Sequence, residues 1–386
     1  MNESIHPGLE GITVAETRLS HIDGENGELV VCGFPIADLA TNATYEESVF
    51  LLLHDRLPTA DELAAFRADL ASRRDLPDEV CAVLRRAAAE ETPAMDALRM
   101  GIAAANLGPE GDASAANAAG ADDSEALARR LVAVVPTIVA TYWRYRQGAT
   151  PVEPRDDLGH AANYLHMLTG DEPDDAAVRG LETYLSTVVD HGVNASTFTA
   201  RTVVSTESDL VSAATAAVGS LKGPLHGGAP GPVLEMLRDV HELGDPAGYV
   251  KGKLAAGERL MGFGHRVYRV RDPRASVLES AAERLYAESA DGDFFETVRE
   301  FEAVAVEALA DHSPDRRLDT NVEFYTAALL DGVGIPKELF TATFAVSRVA
   351  GWMAHCLEQR ADNRLVRPDS RYVGATDREW TPADER

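Results

Sequence analysis

Two histidines and one carboxylate stand in short, unusual settings. His226 lies in Gly-Pro-Leu-His-Gly-Gly-Ala, His265 in Gly-Phe-Gly-His-Arg-Val-Tyr, and Glu323 in Asn-Val-Glu-Phe-Tyr. Glycine lets the backbone bend sharply and lets a ligand come close. Neither histidine belongs to an amphipathic stripe, so both are placed for chemistry rather than packing. Two imidazoles and a carboxylate can supply a general base, a hydrogen-bond donor and a general acid near neutral pH. Glu323 sits in an apolar run with Val322, Phe324 and Tyr325, where burial would raise its pKa toward the range a base needs. The plainer alternative is a solvated Glu in a first helical turn, favoured by the helix dipole.

A basic island accompanies these groups. Arg266, Arg269, Arg271 and Arg274 follow His265 closely, Arg316 and Arg317 precede Glu323, and Arg348, Arg364 and Arg367 lie near the C-terminus. Arginine forks match carboxylates and phosphates, so the cluster points to a substrate with several such groups. Surface ion pairs are the simpler role for Arg271, Arg316 and Arg364.

The rest of the chain is strongly acidic. The 386 residues carry a formal net charge of -27, which disfavours nucleic acid and anionic lipid as partners. The only lysines are Lys222, Lys251, Lys253 and Lys337. A GC-rich genome explains Arg in place of Lys but not the excess of acid. The sharper reading is a cytoplasm with molar salt, where self-repulsion is screened over about 3 Å. The N-terminus lacks the basic and apolar regions of a secretory signal, and no long uninterrupted apolar run indicates a membrane span. Cys32, Cys81 and Cys356 fit neither a disulfide framework nor a zinc knuckle. A cytoplasmic protein without a bound metal is expected.

The elements that must hold these residues are mostly helical. Val14–Ile22 and Glu28–Cys32 flank a turn and read as a short hairpin. Helical spacing follows over Tyr45–His54, Ala126–Arg146, Ala176–Val189, Asp209–Leu221, Pro232–Val240, Arg274–Ser289 and Phe295–Ala310. Thr59 with Glu62 forms a capping box. Pro336 is expected in the first turn of a final long helix through Arg348 and Trp352. Leu107–Asp123, rich in Gly, Ala, Asn, Ser and Asp, reads as a surface loop.

These settings resemble the citrate synthase family, and other segments match it in order: Gly8-Leu9-Glu10-Gly11, Gly27-Glu28-Leu29, Gly33-Phe34-Pro35-Ile36, Leu57-Pro58-Thr59, Ser347-Arg348, Gly351-Trp352-Met353-Ala354-His355 and Arg367-Pro368. The resemblance implies an all-α, two-domain fold with a short N-terminal β-hairpin. Residues 1–227 and 335–386 would form a large helical domain, and 228–334 a smaller inserted one. It also implies condensation of acetyl-CoA with oxaloacetate to citrate, with no permanently bound cofactor, in a homodimer with shared active sites.

In that family's terms Glu323 removes the methyl proton, His226 stabilises the enol and His265 polarises the ketone. His191, in Asp190-His191-Gly192, holds oxaloacetate with Arg274, Arg348 and Arg367, the last reaching across to the partner subunit. Arg269 contacts coenzyme A phosphate, and the Leu260–Gly264 loop, through Leu260, Gly262 and Gly264, approaches its adenine. Two departures stand out. The family's usual base is Asp, and one extra methylene moves a carboxylate by roughly 1 Å, a displacement that can cost about 10²-fold in rate. Pro230 also stands where Asn is common. Propionyl-CoA, giving 2-methylcitrate, would use the same residues. A silent CoA- or citrate-binding paralogue is a further reading. So is a non-haem metal enzyme, since two His and a carboxylate also make a facial triad.

Overall fold

The computed structural model describes residues 5–105, 121–228, 230–287, 289 and 291–386, with backbone alone at 121–123. Three short strands open the chain: β1 (Ser20–Asp23), β2 (Glu28–Val31) and β3 (Phe34–Pro35). They form one antiparallel sheet in the order β1-β2-β3, with Ile22 opposite Leu29 and Val31 opposite Phe34. The hairpin is present, but its first strand begins only at Ser20 instead of Val14, and β3 had no signal beyond an apolar dipeptide.

Helices follow: α1 (Ile36–Asn42), α2 (Tyr45–His54), α3 (Ala60–Ala71), α4 (Asp78–Ala89), α5 (Ala94–Ala104) and α6 (Ala121–Arg146). Next come α7 (His160–Thr169), α8 (Asp175–Thr187), α9 (Ala195–Val204) and α10 (Leu210–Leu221). The chain continues with α11 (Pro230–Leu243), α12 (Pro246–Ala255), α13 (Pro273–Tyr286), α14 (Gly292–His312) and α15 (Val322–Gly332). It ends with α16 (Phe340–Ala361). Capping explains many starts. Thr59 and Glu62 bond reciprocally at α3, and Thr44 with Glu47 does the same at α2. Asp174, Asn194, Asp209, Asp272 and Asn321 cap α8, α9, α10, α13 and α15.

Two expectations need correction. Pro336 does not begin the last α-helix; it precedes a 3-10 turn, Lys337–Leu339, from which α16 continues. The expected loop Leu107–Asp123 lies largely outside the described residues, but 121–123 are already helical. Within α6, Ser124–Arg146 is long and apolar enough to cross a membrane. Its apolar window is 72% buried, so it is a core helix.

The core sits around α16, whose sequence is apolar on nearly all sides and which packs against α6, α9 and α10. Trp352, fully buried at its middle, donates its indole N–H to Ser196 Oγ at 3.0 Å. Helices α11–α15 pack among themselves, α13 on α15 and α12 on α14, while α13 and α15 also rest on α8.

Candidate active site

Glu323 and His265 are brought together by main chain. Phe263 bridges to Thr320 in antiparallel fashion. Asn321 N–H donates to Gly262 O at 2.9 Å, and Gly264 N–H donates to Asp319 O at 2.8 Å. The Asn321 side chain donates to Gly264 O at 2.9 Å and accepts from Glu323 N–H at 3.0 Å, capping α15. Gly262 and Gly264 have φ of +88° and +80°, and a Cβ on either would meet Phe324 or Leu318 at 2.9 Å. Only glycine lets this loop lie so close to the start of α15. The Asn-Val-Glu and Gly-Phe-Gly-His segments therefore form one piece of structure.

Glu323 is half-buried in the first turn of α15. Burial pushes its carboxyl up to about 7, against the pull of Arg274 and Arg348 and helped by Asp272. The solvated reading is thus replaced by a carboxylate poised near neutrality. His265 and His226 move the other way. Burial first, then the nearby Arg274 or Arg348, brings each down to about 4, so both rings are neutral at pH 7.

Their hydrogen bonds fix where the protons are. His265 Nδ1 accepts the N–H groups of Val267 and Tyr268 at 3.0 and 3.1 Å, which leaves the proton on Nε2. His226 Nε2 accepts Ser196 N–H at 3.3 Å and lies 2.8 Å from Ser196 Oγ, which leaves its proton on Nδ1. The turn carrying His226 is tight. Gly227 N–H donates to Leu221 O at 3.1 Å, and a Cβ there would meet that oxygen at 2.6 Å. Pro230 opens α11, where a missing N–H costs nothing.

Arg274 and Arg348 are buried. Asp272 holds Arg274 through Nε and Nη2 at 3.0 and 2.8 Å. Arg348 Nε donates to Val188 O at 2.7 Å, while its Nη2 is buried without a partner. A buried, unpaired guanidinium N–H is suited to receive an anion. His191 lies beside them: its ring centroid is 6.0 Å from that of His265, and burial, Arg274 and Arg348 hold it well below the usual imidazole range.

A cleft of about 1040 Å³ opens beside His265. Leu260, Gly262, Gly264 and Arg269 line it, and so do Arg259, Arg266, Arg316 and Arg317. Arg316 was expected in a surface ion pair; it faces this cleft instead. Arg271 does pair, with Glu279 and Glu302 at 2.8 Å. Arg367 is not joined to Arg274 or Arg348 within the chain. It stands in the segment after α16, its side chain 75% exposed, with Asp369 at 3.5 Å.

Sequence reasoning missed Tyr268, Asp272 and Ser196, which touch the site groups directly. Asp272 had a readable signal, an Asp-Pro-Arg helix start. Tyr268 and Ser196 had none. Among the described residues no group of three or more His, Cys, Asp and Glu could hold a metal ion, so His226, His265 and Glu323 do not form a facial triad.

On a helical scaffold the site combines imidazoles neutral at pH 7, a carboxyl poised near neutrality, two buried arginines and a cleft lined by further arginines, a set that fits the class of enzymes acting on anionic substrates. The sequence profile described as "Citrate synthase, C-terminal domain" matches residues 8–369. The citrate synthase of Haloferax volcanii is 45% identical over 387 residues, covering 100% of both chains. The citrate synthase structure from Pyrobaculum aerophilum superposes with a TM-score of 0.90 at 37% identity, covering 99% of this chain and 95% of that one. The citrate synthase structure from Thermoplasma acidophilum, a ternary complex with carboxymethyl coenzyme A and oxaloacetate, gives a TM-score of 0.89 at 30% identity, covering 100% of both chains. The chain belongs to the citrate synthase family.

Proposed function

We propose that the chain condenses acetyl-CoA with oxaloacetate and hydrolyses the resulting citryl-CoA to citrate and free CoA. One observation supports this reading: the Phe263–Thr320 bridge and the bonds of Asn321 to Gly262 and Gly264 set the His265 loop directly against the helix start that carries Glu323. Glu323 takes a proton from the thioester methyl while His226 donates Nδ1–H to the thioester oxygen. His265 donates Nε2–H to the ketone of oxaloacetate, whose carboxylates lie against Arg274, Arg348 and His191. The new carbon–carbon bond forms between the methyl carbon and the ketone carbon. The donors are fixed before reaction, so little reorganisation is needed as charge develops. CoA occupies the cleft beside Gly262 and Gly264, with Arg269 at its phosphates.

In this reading residues 228–334 move as a smaller domain against 1–227 and 335–386, closing over the substrates. The protein is a cytoplasmic homodimer, and Arg367 completes the oxaloacetate site of the partner subunit. Its exposure, together with that of Leu365, Tyr372, Val373 and Trp380 in the same segment, supports an arm that packs on another chain. The acidic composition and the match to the Haloferax enzyme support function in high salt. Steady-state release of free thiol from acetyl-CoA and from propionyl-CoA, each with oxaloacetate, tests the proposal. A clear preference for acetyl-CoA is expected. Preference for propionyl-CoA would mean a 2-methylcitrate synthase, and no thiol release with either would mean a silent paralogue.

A further inference from the structure

Tyr268 has no part in the chemistry above, yet it touches three of the groups assigned to oxaloacetate. Its side chain is 2% exposed. Its hydroxyl lies 3.0 Å from His191 Nε2, and the two rings meet edge to face at 5.7 Å. Its ring is 4.9 Å from that of His265, and the Arg274 guanidinium carbon is 5.9 Å from its centroid. Its own N–H is one of the two that fix the tautomer of His265. The loop carrying it is anchored from the other side. Arg269 N–H donates to Gly24 O at 2.8 Å, and a Cβ on Gly24 would meet Val267 O at 2.4 Å. Tyr268 is thus wedged between the β1–β2 turn and the substrate groups and has little room to swing.

We propose that Tyr268 is a positioning residue for oxaloacetate, acting through His191: its hydroxyl fixes the rotation of the His191 ring, so that the ring meets the substrate carboxylate in one orientation. The inference rests on the condensation reading. The hydrogen bond also links the two parts of the chain, since His191 precedes α9 and Tyr268 precedes α13. His191 is correctly oriented only when the 265–272 loop is seated on it, which couples the ketone-polarising imidazole to the carboxylate-binding one. A buried imidazole nitrogen that loses its partner is left unsatisfied and free to turn.

The test is a double-mutant cycle in which oxaloacetate binding is read by calorimetry and turnover in parallel. Tyr268→Phe keeps the ring, the packing and the main-chain N–H and removes only the hydroxyl. It should weaken oxaloacetate binding by about tenfold, the usual size for a lost buried hydrogen bond, while the acetyl-CoA KM stays within about twofold. In a His191→Ala background the same substitution should change oxaloacetate affinity by less than about twofold, because the group it acts through is gone. An equal loss in both backgrounds, unchanged oxaloacetate affinity, or an equal rise in both KM values would overturn the proposal. If the unmutated protein binds oxaloacetate without turnover, the condensation reading fails while the cycle still tests Tyr268. If it binds no oxaloacetate, both fail.

Discussion

Asp272 grips Arg274 from two positions away along the chain: both carboxylate oxygens are taken, at 3.0 and 2.8 Å, by Nε and Nη2 of the guanidinium. The same carboxylate accepts Val322 N–H at 3.3 Å, at the first turn of the helix that carries Glu323. One fully buried side chain therefore orients Arg274 and ties the segment beginning α13 to the first turn of the helix that carries Glu323.

Asp272→Asn should be costly for that reason. It leaves a buried guanidinium short of its counter-charge, a change that typically costs about 3–5 kcal/mol. Thermal unfolding should shift down clearly, and in the folded protein the oxaloacetate KM should rise more than the acetyl-CoA KM. Unchanged unfolding would show that the fork contributes little.

The pH profile should be set by Glu323. A base must be ionised, and burial brings this carboxyl up to about 7, so kcat should climb as pH rises through 7 and level off above about 8. His226 and His265, brought down to about 4, stay neutral throughout and add no limb in that window. An acid limb centred near the ordinary Glu value of about 4.3 would mean that the carboxylate is solvated or that another group is the base.

Much of this site was legible in the sequence because its groups come from short segments in which glycines or caps force the local backbone. His226, His265, Glu323 and Arg274 are all of this kind, and main-chain and side-chain bonds join the His265 loop to the helix start that carries Glu323. Tyr268 and Ser196 were not legible: their partners, His191 and His226, lie 77 and 30 residues away in sequence, and nothing local announces such contacts. In the fold, long periodic stretches such as Tyr45–His54 were read to the residue, while β3 and several short helices were not. Pro336 was misplaced because proline is equally at home opening a 3-10 turn or an α-helix.

Low salt should destabilise the protein. With a net charge of -27, self-repulsion grows as the screening length lengthens from about 3 Å at 1 M to about 10 Å at 0.1 M. Dialysis from molar KCl to 0.1 M should lower both the unfolding temperature and the activity. If neither changes, the acidic surface is not an adaptation to salt.

Arg367→Ala and His265→Ala chains should each be inactive alone and partly active when mixed under conditions of subunit exchange. A mixed dimer has one site with both residues intact. No recovery despite demonstrated exchange would contradict a shared site, as would a fully active monomer.

The most direct measurement is hydrogen exchange from the methyl group of acetyl-CoA, in the presence of a non-reacting oxaloacetate analogue, by Glu323→Gln and Glu323→Asp. Glutamine keeps the length and shape but cannot take the proton, so exchange should vanish while both ligands still bind. Aspartate restores the family's usual residue but shortens the reach by roughly 1 Å in a backbone fitted to Glu, so exchange should slow rather than improve. Normal exchange in the Gln variant would place the base elsewhere and contradict the account.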